Sequence, residues 1–198
     1  MTDTKEIFLD KDLRLGGFYE LCIQDCPSID NEPIKKYTDY IWSLKNVDGP
    51  YDNDFHKTSA DINNFRHEGI LHLDNFNIPI VTINIRETEP IETGFNWFDI
   101  CFYTAAIEKV FGEDFKTWTE NPKCPKQIDD FFTTILKDLF EISKFKLAII
   151  DFEVSGQYYL DDLSADLSDN WTNSIFYIGR DNYNIISPKN KDLVTIID

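Results

Sequence analysis

Four carboxylates stand within or near the ends of expected strands: Glu87, Asp99, Asp151 and Glu153. Glu87 closes the β-branched run from Ile80 to Arg86. Asp99 lies inside the run Asn96–Tyr103. Asp151 and Glu153 flank Phe152, just after the apolar stretch Leu147-Ala148-Ile149-Ile150. Side chains two apart on a strand point to the same face, so Asp151 and Glu153 are expected to present their carboxylates together. Neighbouring carboxylates split their pKa values and can work as acid and base. They can equally hold a divalent cation or pair with Arg86. This speculative carboxylate cluster is what a metal-assisted hydrolase would use. The plainer reading, polar residues wetted at the mouths of strands, is preferred, because strand ends are surface positions by default.

The remaining chemistry-bearing residues form no recognised pattern. His56, His67 and His72 do not fall in H-E-x-x-H or a similar ligand spacing. Cys22, Cys26, Cys101 and Cys124 make no paired C-x-x-C, and Cys22 and Cys101 sit in apolar runs where a thiol acts as a small hydrophobe. Ser155-Gly156 follows a strand, but Glu153-Val154 stand where a nucleophile elbow needs glycine. None of the glycines lies in G-x-G or G-K-[ST] context, which excludes both common phosphate-binding loops. No catalytic residue is assigned, and no metal or cofactor is expected.

Charge points elsewhere. Nineteen basic against 36 acidic residues give a net charge of −17. Nucleic-acid binding and adhesion to anionic membranes both need the opposite sign. A basic protein partner suits it, with long-range steering speeding the encounter. Segment 151–170 holds Asp151, Glu153, Asp161, Asp162, Asp166 and Asp169 with no Lys or Arg. Trp118 falls in a loop and Trp171 follows the acidic stretch, so both are candidate anchors for a partner beside Asp161, Asp162 and Asp166.

The elements that must position these residues follow from periodicity. Hydrophobic residues make up 42% of the chain and aromatics 15%, enough for a substantial core. Phe18–Ile23 alternates as a strand. Asp30 is a fitting N-cap for a helix with Glu32-Pro33 in its first turn and Ile34, Tyr37, Ile41 and Leu44 on one face. Gly49-Pro50 ends it, and residues 51–66 read as a surface loop. Strands follow at 69–73, 80–86 and 96–103. A short helix runs from Thr104 to a stop at Gly112. The broadest apolar stripe, Ile128 to Ile142, marks a long helix beginning near Pro125-Lys126. Leu147–Ile150 is apolar throughout, as expected of a central strand buried on both faces. A short acidic helix is expected within 157–170. Residues 174–179 and 183–186 read as a closing hairpin, and Leu193–Ile197 as an edge strand or docked terminus. Residues 1–16 read as an irregular lead-in.

The consecutive strands favour antiparallel pairing. The fold class is therefore α+β: a mainly antiparallel sheet with two principal helices packed on one face, in one domain spanning 1–198. The N-terminus lacks an apolar signal segment and no stretch is long enough to span a bilayer, so a reducing cytoplasm is the expected compartment.

Three strings, Ile85-Arg86-Glu87, Trp97-Phe98-Asp99 and Phe152-Glu153-Val154-Ser155-Gly156, resemble an uncharacterised family of bacterial cytosolic proteins over residues 18–156. That resemblance implies a cytoplasmic protein and brings no activity or catalytic residue. In size, acidity and aromatic content the chain is also similar to bacterial immunity proteins, which neutralise toxins by binding them. The expected function is a non-enzymatic, acidic, immunity-like binding module, with the metal-assisted hydrolase as the alternative.

Overall fold

A computed structural model describes residues 3–87, 94–116, 122–165 and 174–198. Eight strands form one open sheet: β1 (Phe18–Pro27), β2 (Val47–Tyr51), β3 (Arg66–Leu73), β4 (Phe76–Arg86), β5 (Phe95–Tyr103), β6 (Leu147–Phe152), β7 (Ile175–Gly179) and β8 (Val194–Ile197). Their order is β2-β3-β4-β5-β1-β6-β7-β8. All neighbours are antiparallel except β7 and β8, which run parallel. The first strand thus enters the middle of the sheet, between β5 and β6, and is buried along almost its whole length.

Alternation on β1 sends two different sets of side chains to the two faces. Tyr19, Leu21 and Ile23 join Phe98, Ile100 and Phe102 of β5 and Ala148 and Ile150 of β6. Two long helices, α2 (Glu32–Ser43) and α4 (Lys126–Ile142), contribute Ile34, Tyr37 and Ile41, and Ile128, Phe132, Ile135 and Leu139, to the same core. Ring contacts tie the layers together, with Tyr37 5.7 Å from Phe98 and Phe132 5.4 Å from Phe102. On the opposite face Cys22, Trp97, Leu147 and Ile149 form a second cluster with Leu160, Leu163 and Phe176. Leu160 and Leu163 belong to a 3-10 turn at Leu160–Ser164.

The α+β class and the mostly antiparallel sheet agree with the sequence; five details do not. The two long helices are joined by α1 (Thr4–Leu9), α3 (Thr104–Phe111) and several 3-10 turns, so they are not the whole helical complement. Within the expected irregular lead-in of 1–16, residues 3–14 are instead ordered: the Asp3 side chain caps α1, Phe8 is buried beneath it, and Asp10 caps a following 3-10 turn. β2 runs through Gly49-Pro50, because an edge strand tolerates the missing donor that would break a central one. No hairpin closes at 174–186, since Arg180–Ile185 coils as a 3-10 turn and β8 pairs with β7 instead. The first-helix cap is also shared: Asn31 is the N-cap residue, while the Asp30 carboxylate accepts from the Glu32 amide at 3.0 Å.

Gly69 lets β2 and β3 close under the Trp42 ring. A Cβ there would lie 2.3 Å from the Asp48 carbonyl oxygen and 2.6 Å from the indole. Gly69→Ala is therefore expected to cost about 1–3 kcal/mol, the range for overpacking a fixed backbone contact, and urea unfolding would read this.

Candidate functional site

The cross-strand register assembles a polar group in the second face of the sheet. Glu20 and Cys22 lie two apart on β1, on one side. Across β5 they face Cys101 and Asp99, and across β6 Asp151 and Ile149. Glu20 and Asp99 are 3% and 1% exposed, and both thiols are fully buried. β6 then ends at Phe152, and the chain turns back over these groups. Glu153 adopts φ 53°, Gly156 φ 68°, and Ser155 drops onto both acids. The Ser155 amide donates to Glu20 Oε1 at 2.8 Å, and its hydroxyl donates to Asp99 Oδ2 at 2.7 Å. The Cys101 thiol donates to Glu20 Oε2 at 3.6 Å. Asp99 Oδ1 is buried with no hydrogen-bond partner.

Electrostatics follow from that burial. Loss of hydration pushes the Asp99 carboxyl up to about 7, and repulsion from Glu20 adds to it, against the Ser155 hydroxyl and the Cys22 thiol. Glu20 is raised by burial, opposed chiefly by the Ser155 amide. Burial drives both Cys22 and Cys101 well above an ordinary thiol. Such thiols stay protonated near neutrality and are not nucleophiles. Ser155→Ala would remove the hydroxyl that favours the ionised Asp99. Loss of this buried bond is expected to cost about 1–3 kcal/mol, with the larger loss above pH 7 and the smaller at pH 5 in paired denaturation curves.

The four carboxylates singled out from sequence do not share one place. Asp99 and Glu153 come to the Glu20–Ser155 group; Glu153 accepts from the Phe18 amide and repels Glu20. Asp151 sits across from Glu20, but its carboxylate is engaged by its own neighbour's amide, Phe152 N at 2.7 Å, and by the Ser174 hydroxyl at 2.6 Å. It does not share a face with Glu153, because the strand has ended and the backbone has turned between them. Glu87 is held by the Tyr159 hydroxyl at 2.7 Å and by the Phe95 amide at 3.4 Å. Phe95 pairs with Pro27 and Glu153 caps Phe18, which are the two ends of β1. At about 3.3 Å per residue those ends are roughly 30 Å apart. No single small substrate reaches both. The wide concavities at the sheet margins, about 590 Å³ beside Glu6, Asp10 and Lys109 and about 560 Å³ between Lys137 and Thr195, include none of the four.

Glu20 and Cys22 were not among the residues picked from sequence. The available signal was a carboxylate and a thiol two apart in an otherwise apolar strand. The histidines stay separate: His56 pairs with Asp52 at 3.3 Å, His72 contacts Asn77 at 2.8 Å, and His67 is buried near Trp42.

Among the partner-binding candidates, Asp161 and Asp162 are both exposed on the 3-10 turn that Leu160 and Leu163 pin to the second core. Asp162 Oδ2 accepts from the Tyr159 amide at 2.8 Å. Trp118, Asp166 and Trp171 lie outside the described residues. No helix among the described residues is long and apolar enough to cross a membrane. Comparison with protein families, curated proteins and solved structures finds no match for this chain.

Proposed function

We propose that the protein is a non-enzymatic binding module that docks a basic protein through an acidic face centred on Asp161 and Asp162. One observation carries this reading: Asp161 and Asp162 stand adjacent and exposed on a turn fixed by two buried leucines, away from the cations that pair with acids elsewhere. Lys35 pairs with Asp39, Lys57 with Asp48, Lys109 with Asp10, Lys126 with Asp130, and Arg180 with Asp198. Among the described residues Asp161 and Asp162 have no ion pair. Lys146, which lines the same shallow concavity as Asp161, is engaged over the Phe95 ring at 4.1 Å. Uncompensated carboxylates on a turn fixed by two buried leucines keep their field for an incoming charge.

In this reading α2 and α4 are the pair that backs the sheet on the side away from the docking face. Trp118, Asp166 and Trp171, which lie outside the described residues, are proposed as further contacts to the same partner. The likeness in composition to bacterial immunity proteins supports a masking role, and the four free thiols suit a reducing cytoplasm. Immobilised protein, exposed to extracts of its source cells at low and moderate salt, is expected to retain one basic protein at low salt and less of it at moderate salt. Retention of nothing under either condition removes the proposal.

A further inference from the structure

The Glu20–Asp99 group has a feature that docking at Asp161 leaves unused. Glu20, Cys22 and Asp99 each offer one ligand atom, and these atoms lie within 4.8 Å of one another, all buried. Two carboxylates have been taken out of water there, and neither Glu20 nor Asp99 forms an ion pair among the described residues. Burying charge without a counter-charge is costly, and the usual remedies are a cation or a proton. Asp99 Oδ1, on a side chain 1% exposed, has no hydrogen-bond partner, while its other oxygen is already fixed by Ser155. Cys101 fixes Glu20 from the flank in the same way. These are the marks of ligands oriented by surrounding hydrogen bonds with one lone pair left over.

We infer that Glu20, Cys22 and Asp99 form a buried site for one divalent transition-metal ion of the zinc type. One sulfur and two carboxylate oxygens from adjacent strands match the donors that Zn²⁺ accepts, and calcium or magnesium would not choose the sulfur. Cys22 gives its thiol proton to solvent as the metal–sulfur bond forms. Three protein ligands leave one position of a four-coordinate Zn²⁺ for a further donor. Access runs through the Glu153–Gly156 turn, where Ser155 is half-buried and a side chain on Gly156 would meet nothing within 4 Å. The site ties β1, β5 and the turn after β6 together, so its role is structural.

The test uses the full chain, freed of metal by a chelator and then dialysed against Zn²⁺ or Co²⁺. One ion per chain is expected by elemental analysis, a higher melting temperature with Zn²⁺, and a thiolate-to-cobalt charge-transfer band with Co²⁺. Cys22→Ser should abolish that band, and Asp99→Asn should weaken affinity by at least about tenfold. Both are near-isosteric, and circular dichroism of each apo variant checks that it folds. If Asp99→Asn did not fold, Cys22→Ser and the wild-type stoichiometry would still decide. Failure of the wild-type chain to hold stoichiometric metal overturns the inference, as does a Cys22→Ser chain with unchanged stoichiometry and spectrum. Neither result bears on docking at Asp161 and Asp162, which lie on a separate turn.

Discussion

Asp25→Asn is expected to make the protein more stable at pH 8 by several kcal/mol while leaving it nearly unchanged at pH 4. Asp25 is 5% exposed near the end of β1, and one of its carboxylate oxygens has no hydrogen-bond partner. Burial pushes its carboxyl from 3.8 up to about 7. The Tyr37 hydroxyl and Lys146 oppose that shift, and Asp30 adds to it. Between those two values the folded chain keeps a proton that the unfolded chain has lost. The slope of stability with pH follows the difference in bound protons, unfolded minus folded, so it is negative there. Stability from this group is complete below pH 4, falls by up to about 1.4 kcal/mol per pH unit through the window, and is gone above pH 7. Asparagine has no proton to lose, so the variant should lack this component. Urea titrations of both chains at pH 4, 6 and 8 would show the gap opening with pH. Equal destabilisation at all three would mean that Asp25 matters for shape and not for charge.

How far the sequence foretold the structure depends on the range of each interaction. α4 was readable because its apolar residues recur locally at helical spacing, and all seven from Ile128 to Phe140 in that stripe are buried. The strand through Ile80–Arg86 and the stop at Gly112 were equally local signals; Gly112 sits at φ 98°. β2 was hidden because Gly49-Pro50 reads as punctuation unless the strand is known to be at an edge. The false hairpin arose because Asp181-Asn182 fits a turn, and nothing local announces that β8 will take the neighbouring place in parallel. The polar group in the sheet was the least legible. Asp99 and Ser155 could be named, but Glu20 meets Cys101 only through a pairing 81 residues apart in the chain, and Ser155 reaches Glu20 across 135. Register at such separations is set by the whole sheet and not by any motif. Asp161 and Asp162 were legible as charge, and the structure adds the pair of leucines that holds them outward.

Reversing charge at that turn is the second large expected effect. Asp161→Lys combined with Asp162→Lys replaces two exposed negative charges with two positive ones where a basic partner would approach. The association rate should fall by on the order of tenfold or more at low salt, and its dependence on ionic strength should flatten. Dissociation should change less, because rim charges act mainly on the encounter. A matched control alters net charge equally but elsewhere: Asp39 and Asp130, exposed and ion-paired on α2 and α4, both changed to Lys. It should slow association only slightly. Both positions lie on helices at the opposite face of the sheet, so the comparison separates a docking surface from a general excess of negative charge.

The most direct test is the association rate of the retained basic partner with three chains, wild type, Asp161→Lys/Asp162→Lys and Asp39→Lys/Asp130→Lys, measured across a series of salt concentrations. The docking account predicts a fast, salt-sensitive rate for the wild type, a similar one for the helix control, and a slow, salt-insensitive one for the turn variant. Equal rates for the two variants would contradict it.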